Sequence, residues 1–394
     1  MSARGFVPLS RPTIEEEEIG SVVDCLRSGW LTSGPKVLAF ESAFRARLGV
    51  RHAVAVNSAT AGLHLTLAAI GIGPGDEVIT TSLTWPSTVN AIELLGARPV
   101  FADVVPDGLL IDIQDVARRI TDRTRAVIPV HYAGAPVDLD VLDSVIADSP
   151  IVVLHDAAHA LGTVYKRREI GAHQTSAERD ATVFSFHPIK NITTGEGGMV
   201  LTQDGRLAER LRLLRFHGVT KDAWTHREGQ GSAHYEVIEP GWKYNMLDLQ
   251  AALGIEQLAK LDRFNHDRAE LAARYDELLA GISEIRPIGR PQYQHDHAWH
   301  LYVVKLDLDR LPMDRDQFMR ALAEEGVGSG LHFSPVHLHR YYAEKYGYRV
   351  GDLPVTETAG EAILSLPLYP AMTYVQQDQV VSAVKKVISV ETTS

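Results

Sequence analysis

The feature that most constrains this chain is an alternation of short aliphatic runs with segments of helix length. The runs are Ala53–Val56, Glu77–Thr80, Pro99–Val104, Arg125–Val130, Ile151–Leu154, Ala181–Phe186 and Met199–Thr202. Continuous apolar runs of this length predict strands buried on both faces, and helix-length connections between them predict a mostly parallel sheet flanked by helices. Such sheets bind ligands beyond the carboxyl ends of their strands, so the residues that close each run are the first candidates for chemistry. No internal sequence repeat accompanies the alternation.

At 394 residues the chain is too long for one compact core, and the order of elements changes in its last third. A periodic helix over MLDLQAALGIEQLAKL is followed by a long helix to about Leu279, a β run at Leu301–Leu306, a helix at Arg315–Glu325, a β segment near Gly330–Phe333 and a closing helix from about Val375. The reading is a large α/β domain over 1–255, with a sheet of seven mostly parallel strands, and a small α+β domain over 256–394. Near the start, Thr13 and Glu16 have capping-box spacing, and Ile14, Val22, Val23 and Leu26 mark a helical stripe. Thr220–Glu239 has no period and is expected to be a long surface or interface loop.

The single cysteine, Cys25, excludes a disulfide framework and a cysteine-ligated metal or iron–sulfur site within one chain. No run of about 18 apolar residues occurs and MSARGFVPLSRPT carries no signal-peptide core, so a cytoplasmic protein is expected. Fifty acids against 39 bases, with no basic block, argue against nucleic acid. Anionic ligands must then be held by local devices such as helix N-termini.

The stretch FSFHPIKNITTGEGG, Phe184–Gly198, sets Lys190 just past a β run and before a glycine-rich turn. A lysine at the mouth of a sheet can be desolvated, as Schiff-base chemistry requires; an ordinary solvated lysine is the alternative. The run Ile151–Leu154 ends in His155 and Asp156, which delivers a carboxylate to the same edge, where it could also merely cap a helix. A lysine and an acid opening on one crevice are what pyridoxal phosphate needs, the acid keeping the pyridine nitrogen protonated so that the ring acts as an electron sink. Ser58, Ala59 and Thr60 lie at a strand-to-helix junction suited to a phosphate or to a plain N-cap, and Trp85 is either a platform for a flat ring or a packing residue. His332, His337 and His339 have a spacing that could suggest a metal, but without a nearby carboxylate or cysteine a pocket-lining or packing role is the better reading.

Taken together, SGWLTSGP, NSATAGLHL, SLTWPSTVNAI, PVHYAGAP, HDAAHALG, FSFHPIKNITTGEGG, GWKYNMLDLQAALG, HAWHLYVV and GLHFSPVHLHRYY resemble, in this order, the nucleotide-sugar aminotransferases of the DegT/StrS type. These are fold-type I pyridoxal-phosphate enzymes. The resemblance implies that Lys190 forms the Schiff base with the cofactor and Asp156 pairs with its pyridine nitrogen. Trp85 would stack on the ring, His159 would stand near the ring hydroxyl, and Ser58, Ala59, Thr60 and Ser185 would bind the phosphate. Lys243 and Asn245 fall in the segment that reaches the phosphate of the neighbouring subunit, which implies a homodimer with shared active sites. Thr32, Tyr132, His187, His332 and His337 are the candidates for substrate contact. The implied reaction moves an amino group from L-glutamate, through pyridoxamine phosphate, to a nucleotide-linked keto sugar. HPIKNITTGEGG is similar to the subgroup that aminates C4. SPVHLH at Ser334–His339 favours a dTDP-linked 4-keto-6-deoxyhexose over the UDP-linked pentose that yields 4-amino-4-deoxy-L-arabinose. Retention of Lys190 and Asp156 argues against a catalytically silent binding or regulatory homologue, and Lys190 with one cysteine argues against a dehydratase.

Overall fold

The structure, a computed structural model, describes residues 5–147, 149–172, 180–220 and 235–390. Its centre is a seven-stranded sheet in the order β1-β9-β8-β5-β4-β2-β3. Here β1 is His52–Val56, β2 Glu77–Thr81, β3 Arg98–Ala102, β4 Thr124–Ile128 and β5 Val152–Asp156; after the short β6 (Val164–Tyr165) and β7 (Arg168–Glu169) come β8 (Ala181–Ser185) and β9 (Gly198–Thr202). The pairs from β3 through to β8 are parallel, and β9 runs antiparallel to both β1 and β8. All five residues of β2, β5 and β9 are buried, which is why the sequence shows continuous apolar runs there instead of alternation.

Helices cover both faces. Before the sheet come α1 (Glu16–Ser28) and α2 (Pro35–Leu48); between its strands lie α3 (Ala59–Ala69), α4 (Pro86–Glu93), α5 (Ile113–Arg119) and α6 (Leu139–Ile146); α7 (Gly205–Leu214) and α8 (Asp248–Ala259) follow. Phe40 and Phe44 of α2 meet Phe184 and Phe186 on one face of the sheet. Leu63, Leu65 and Leu67 of α3 pack with Leu207, Leu211 and Leu214 of α7 on the other.

A second core is built around the sheet β10 (Ile285–Pro287), β12 (Tyr302–Leu306) and β13 (Ile363–Leu366), while β11 (His295–Asp296) pairs with β6. Its helices are α9 (Leu261–Leu279), α10 (Arg315–Glu324) and, after α11 (Arg340–Tyr346) and α12 (Pro354–Ala362), α13 (Tyr374–Val390); Tyr342 of α11 packs instead with Val89 and Phe101, and Ala359 of α12 joins the first core. Leu261 and Phe264 belong to the first core whereas Leu271, Tyr275 and Leu279 belong to the second, so the two cores meet along α9. Val7 also joins the second core, through Val7 N–H to Gly326 O at 2.9 Å, which returns the N-terminal segment to the far end of the chain.

Three local expectations are corrected. Gly330–Phe333 is not a strand; only Gly330 makes an isolated bridge, to Ser365. The cap of α1 is Glu15 with Glu18, whose carboxylate accepts from Glu15 N–H at 2.9 Å, and not Thr13 with Glu16. The face that α1 buries carries Glu18, Ser21 and Cys25, while Ile14 and Leu26 stay exposed. Lys260 explains this inversion, because its ammonium reaches Glu15, Glu17 and Glu18 at 2.8, 3.0 and 2.8 Å and gives a buried carboxylate its partner. Of the expected loop at 220–239, residues 221–234 lie outside the described residues; on either side of them Val219 bridges Val237 in antiparallel fashion. Among the described residues no helix is long and apolar enough to cross a membrane.

Candidate active site

The strand order sets the site. Asp156 is the last residue of β5 and pairs with Val183 of its neighbour β8, from whose end the chain leaves as the Phe186–Gly197 loop before returning as β9. The loop is pinned at its base by Phe186 N–H to Gly197 O at 2.9 Å and Thr194 N–H to Phe186 O at 3.0 Å. Asn191 is tied to Ala298 O and Asn265 Oδ1, both at 2.7 Å. Lys190 projects from it into a cavity of about 420 Å³ that Asp156 also lines. Burial pushes the Lys190 amine down to about 8, against the pull of the Asp156 charge, so a free-base fraction is present near neutral pH and grows as pH rises through that value. Burial likewise pushes the Asp156 carboxyl up, opposed by Thr88, the Ala158 N–H and Lys190. Thr88 Oγ1 donates to Asp156 Oδ2 at 2.6 Å and Ala158 N–H to Oδ1 at 3.2 Å, which fixes the plane of the carboxylate.

Opposite the amine, Ser58, Ala59 and Thr60 open α3 at the cavity wall, and Ser58 Oγ accepts from Ala61 N–H at 3.1 Å. The positive end of this eleven-residue helix therefore faces the cavity. Gly198 passes beneath it so closely that a Cβ there would stand 2.7 Å from Ser58 C and 2.8 Å from Ala59 N. Ser185 and His187 line the same end. Trp85, 62 % exposed and thus no packing residue, forms the outer wall with Phe333, their ring centroids 6.1 Å apart.

His159 accepts Ala133 N–H at Nδ1, 3.3 Å, and is kept neutral, foremost by burial and then by the Lys190 charge; its proton is therefore on Nε2, ready to donate. An amine, an oriented carboxylate, an imidazole N–H and a helix N-terminus thus surround one space, with an aromatic face beside it. This donor set matches pyridoxal phosphate group for group: aldehyde, pyridine nitrogen, ring hydroxyl and phosphate.

The profile of the DegT/DnrJ/EryC1/StrS aminotransferase family matches residues 12–385. The chain belongs to this family. Solved structures over almost its full length agree. Spr1654 of Streptococcus pneumoniae, described as a sugar aminotransferase and solved in its PLP form, is 32 % identical with a TM-score of 0.88, over 98 % of this chain and 99 % of that one. Helicobacter pylori PseC, an aminotransferase involved in pseudoaminic acid biosynthesis, is 30 % identical with a TM-score of 0.89, over 98 % of this chain and 100 % of that one. DesV of S. venezuelae is 33 % identical with a TM-score of 0.86, over 98 % and 99 %. The protein is a pyridoxal-phosphate-dependent aminotransferase of fold type I, with pyridoxamine phosphate as the amine-carrying form of its cofactor.

The other sequence candidates of this aminotransferase divide. His332 lines the cavity, with Nδ1 2.9 Å from Ser365 Oγ. Tyr132 is buried and donates its hydroxyl to the His332 carbonyl, so it supports the wall without lining it. His337 does not line the cavity either; it is fully buried between Ser82 and Glu357. Thr32 is exposed and its carbonyl accepts from Asp248 N–H at 3.3 Å, outside the cavity. Asn245 is buried and donates to Ser33 Oγ at 2.8 Å, while Lys243 is exposed with its ammonium 4.0 Å from the Phe216 ring centroid, and neither lines this chain's cavity. Sequence reasoning missed Thr88, Phe333 and His300, whose Nε2 is 3.5 Å from Lys190 Nζ. Thr88 and His300 sat inside the quoted blocks SLTWPSTVNAI and HAWHLYVV, but nothing local in sequence ties a hydroxyl or an imidazole to a partner 68 or 110 residues away.

Proposed function

We propose that this aminotransferase moves an amino group from L-glutamate to the C4 ketone of a nucleotide-linked sugar, with a dTDP-linked 4-keto-6-deoxyhexose as acceptor, in deoxyaminosugar biosynthesis. The observation that carries the reading is Lys190, its amine lowered by burial to about 8, sharing one cavity with a buried, oriented Asp156. Lys190 Nζ takes a proton from the α-carbon of the donor and, in the reverse sense, returns one to C4 of the sugar. Asp156, braced by Thr88 and Ala158, holds the ring nitrogen's proton; His159 donates to the ring hydroxyl; Ser58, Ala59, Thr60 and Ser185 hold the phosphate. When bound, pyridoxal phosphate supplies the electron sink that makes these C–H bonds acidic. Sugar as the acceptor class is supported by relatives described as sugar aminotransferases at about a third identity. C4 as the position is supported by the HPIKNITTGEGG segment.

The active sites are shared across a homodimer in this reading. Ile19 and Leu26 on α1, Leu31 after it and Leu38 on α2 are all at least two-fifths exposed, which supports association through that region. A UDP-linked 4-keto-pentose is the second acceptor, favoured by the overall likeness of the motif blocks and disfavoured by SPVHLH. Incubation with L-glutamate and a panel of UDP- and dTDP-linked keto sugars, with the new amine located by NMR, tests the proposal. Amination at C4 of the dTDP-hexose is expected; amination at C3 alone, or of no sugar, refutes it.

A further inference from the structure

His337 was set aside from the cavity, yet it belongs to a buried and fully bonded polar chain. Glu357 Oε1 lies 3.1 Å from His337 Nε2, and His337 Nδ1 lies 2.7 Å from Ser82 Oγ. Ser82 Oγ in turn accepts from the His337 backbone N–H at 2.9 Å, and Ser82 O accepts from Val336 N–H at 2.9 Å. Burial pushes the Glu357 carboxyl up, but the N–H groups of Leu353 and Gly351 together with His337 outweigh it and keep it below its ordinary value. An ionised Glu357 needs a donor, so the imidazole proton is on Nε2, and Nδ1 is left to accept from the Ser82 hydroxyl. Every donor and acceptor in the chain then has one role. The grouping resembles a nucleophile–base–acid set, but Ser82 is 0 % exposed and its oxygen is already engaged, so no substrate reaches it.

What the chain joins is informative. Ser82 begins the turn that carries Thr84 and Trp85 and leads into α4 with Thr88, and Thr84 Oγ1 is 3.3 Å from Thr88 Oγ1, which donates to Asp156. His337 follows the segment Leu331–Phe333, which forms the facing wall of the cavity. Glu357 lies on α12, whose first N–H groups, Val355 and Thr356, are capped at 3.0 and 2.8 Å by Asp103 from the end of β3. The two cavity walls are thus bolted to each other and to the large sheet behind the active site.

We propose that His337 is a positioning residue for the amino transfer: through Ser82 it holds the Ser82–Thr88 segment, and so fixes the Trp85 ring beside the cofactor and the Thr88 hydroxyl on Asp156. This deepens the proposed function and rests on the cofactor assignment, but not on which sugar is aminated. Asparagine places an amide oxygen where Nδ1 stands, and glutamine places an amide nitrogen where Nε2 stands. His337→Asn therefore keeps the side-chain link to Ser82 and loses Glu357, whereas His337→Gln keeps Glu357 and loses the side-chain link, leaving the Ser82 hydroxyl without its acceptor. With the pyridoxal-phosphate-loaded enzyme, Ser82→Ala and His337→Gln are expected to release cofactor about tenfold faster and to change its visible circular dichroism. Both should lower kcat about tenfold with KM for glutamate little moved, since displacements below 1 Å at a reacting centre cost this much. His337→Asn should stay close to wild type in all four. The proposal is overturned if Ser82→Ala, measured below its unfolding temperature, keeps the wild-type release rate and dichroism, or if His337→Asn is as impaired as His337→Gln. If the histidine variants do not fold, Ser82→Ala alone decides. The release rate and the dichroism need no sugar, so they stand apart from a failure to aminate the acceptors tested.

Discussion

A lysine amine at about 8 inside a protein has consequences at both ends of its titration. Free base is the form that reacts with an aldehyde, so uptake of pyridoxal phosphate by the apo-protein should speed up as pH rises through about 8 and level off above it. Stopped-flow absorbance across pH checks this; a rate already level well below that value contradicts it. The same depression acts on stability with a definite sign. The unfolded chain holds this amine as ammonium up to about pH 10.4 whereas the folded chain gives its proton up earlier, so the group opposes folding near neutrality and the penalty fades as pH rises. Lys190→Met should therefore abolish turnover while raising the melting temperature of the apo-protein at neutral pH, with a smaller gain at pH 9. Asp156→Asn, which keeps the shape but not the charge, should fold and lose activity by roughly a hundredfold or more.

At the scale of elements, the active site is the meeting of two chain ends: the start of α3 and the loop between β8 and β9. What lets them meet is the missing side chain at Gly198, the first residue of β9, which lies directly against the Ser58–Ala59 backbone. Gly198→Ala should push the α3 N-terminus outward and weaken cofactor binding by about tenfold or more, with a lesser effect on the melting temperature of the apo-protein. Equilibrium titration with pyridoxal phosphate beside thermal melts tests this, and unchanged affinity rules it out. The strands themselves were legible because burial on both faces leaves a purely local signature of consecutive aliphatics. The polar inner face of α1 was not, because the residue that makes it affordable, Lys260, is more than two hundred positions away.

For the molecule as a whole, the arrangement leaves Lys243 exposed, its ammonium over the Phe216 ring, and a set of apolar side chains exposed on α1 and α2. The proposal that sites are shared across a homodimer makes a quantitative forecast. Lys190→Ala protein and Lys243→Ala/Asn245→Ala protein, each impaired alone, should regain roughly a quarter of wild-type activity once subunits are mixed and exchanged. A hybrid of the two carries both defects in one site and none in the other; absence of recovery in a mixture shown to contain hybrids would mean that each chain completes its own site.

The sequence by itself determined the large sheet, the reversal of element types in the last third, and the pair Lys190 and Asp156, because strand burial and strand-end placement are written in neighbouring residues. It could not determine that Thr88 holds Asp156, that His300 meets Lys190, that Tyr132 acts through the His332 carbonyl, or that His337 serves Ser82 and not the cavity. Each of these depends on one or two hydrogen bonds between segments far apart in the chain. Only tertiary packing, of helix on sheet within the large domain and of the second core against the first, brings such partners within about 3.5 Å, where a hydrogen bond has strength.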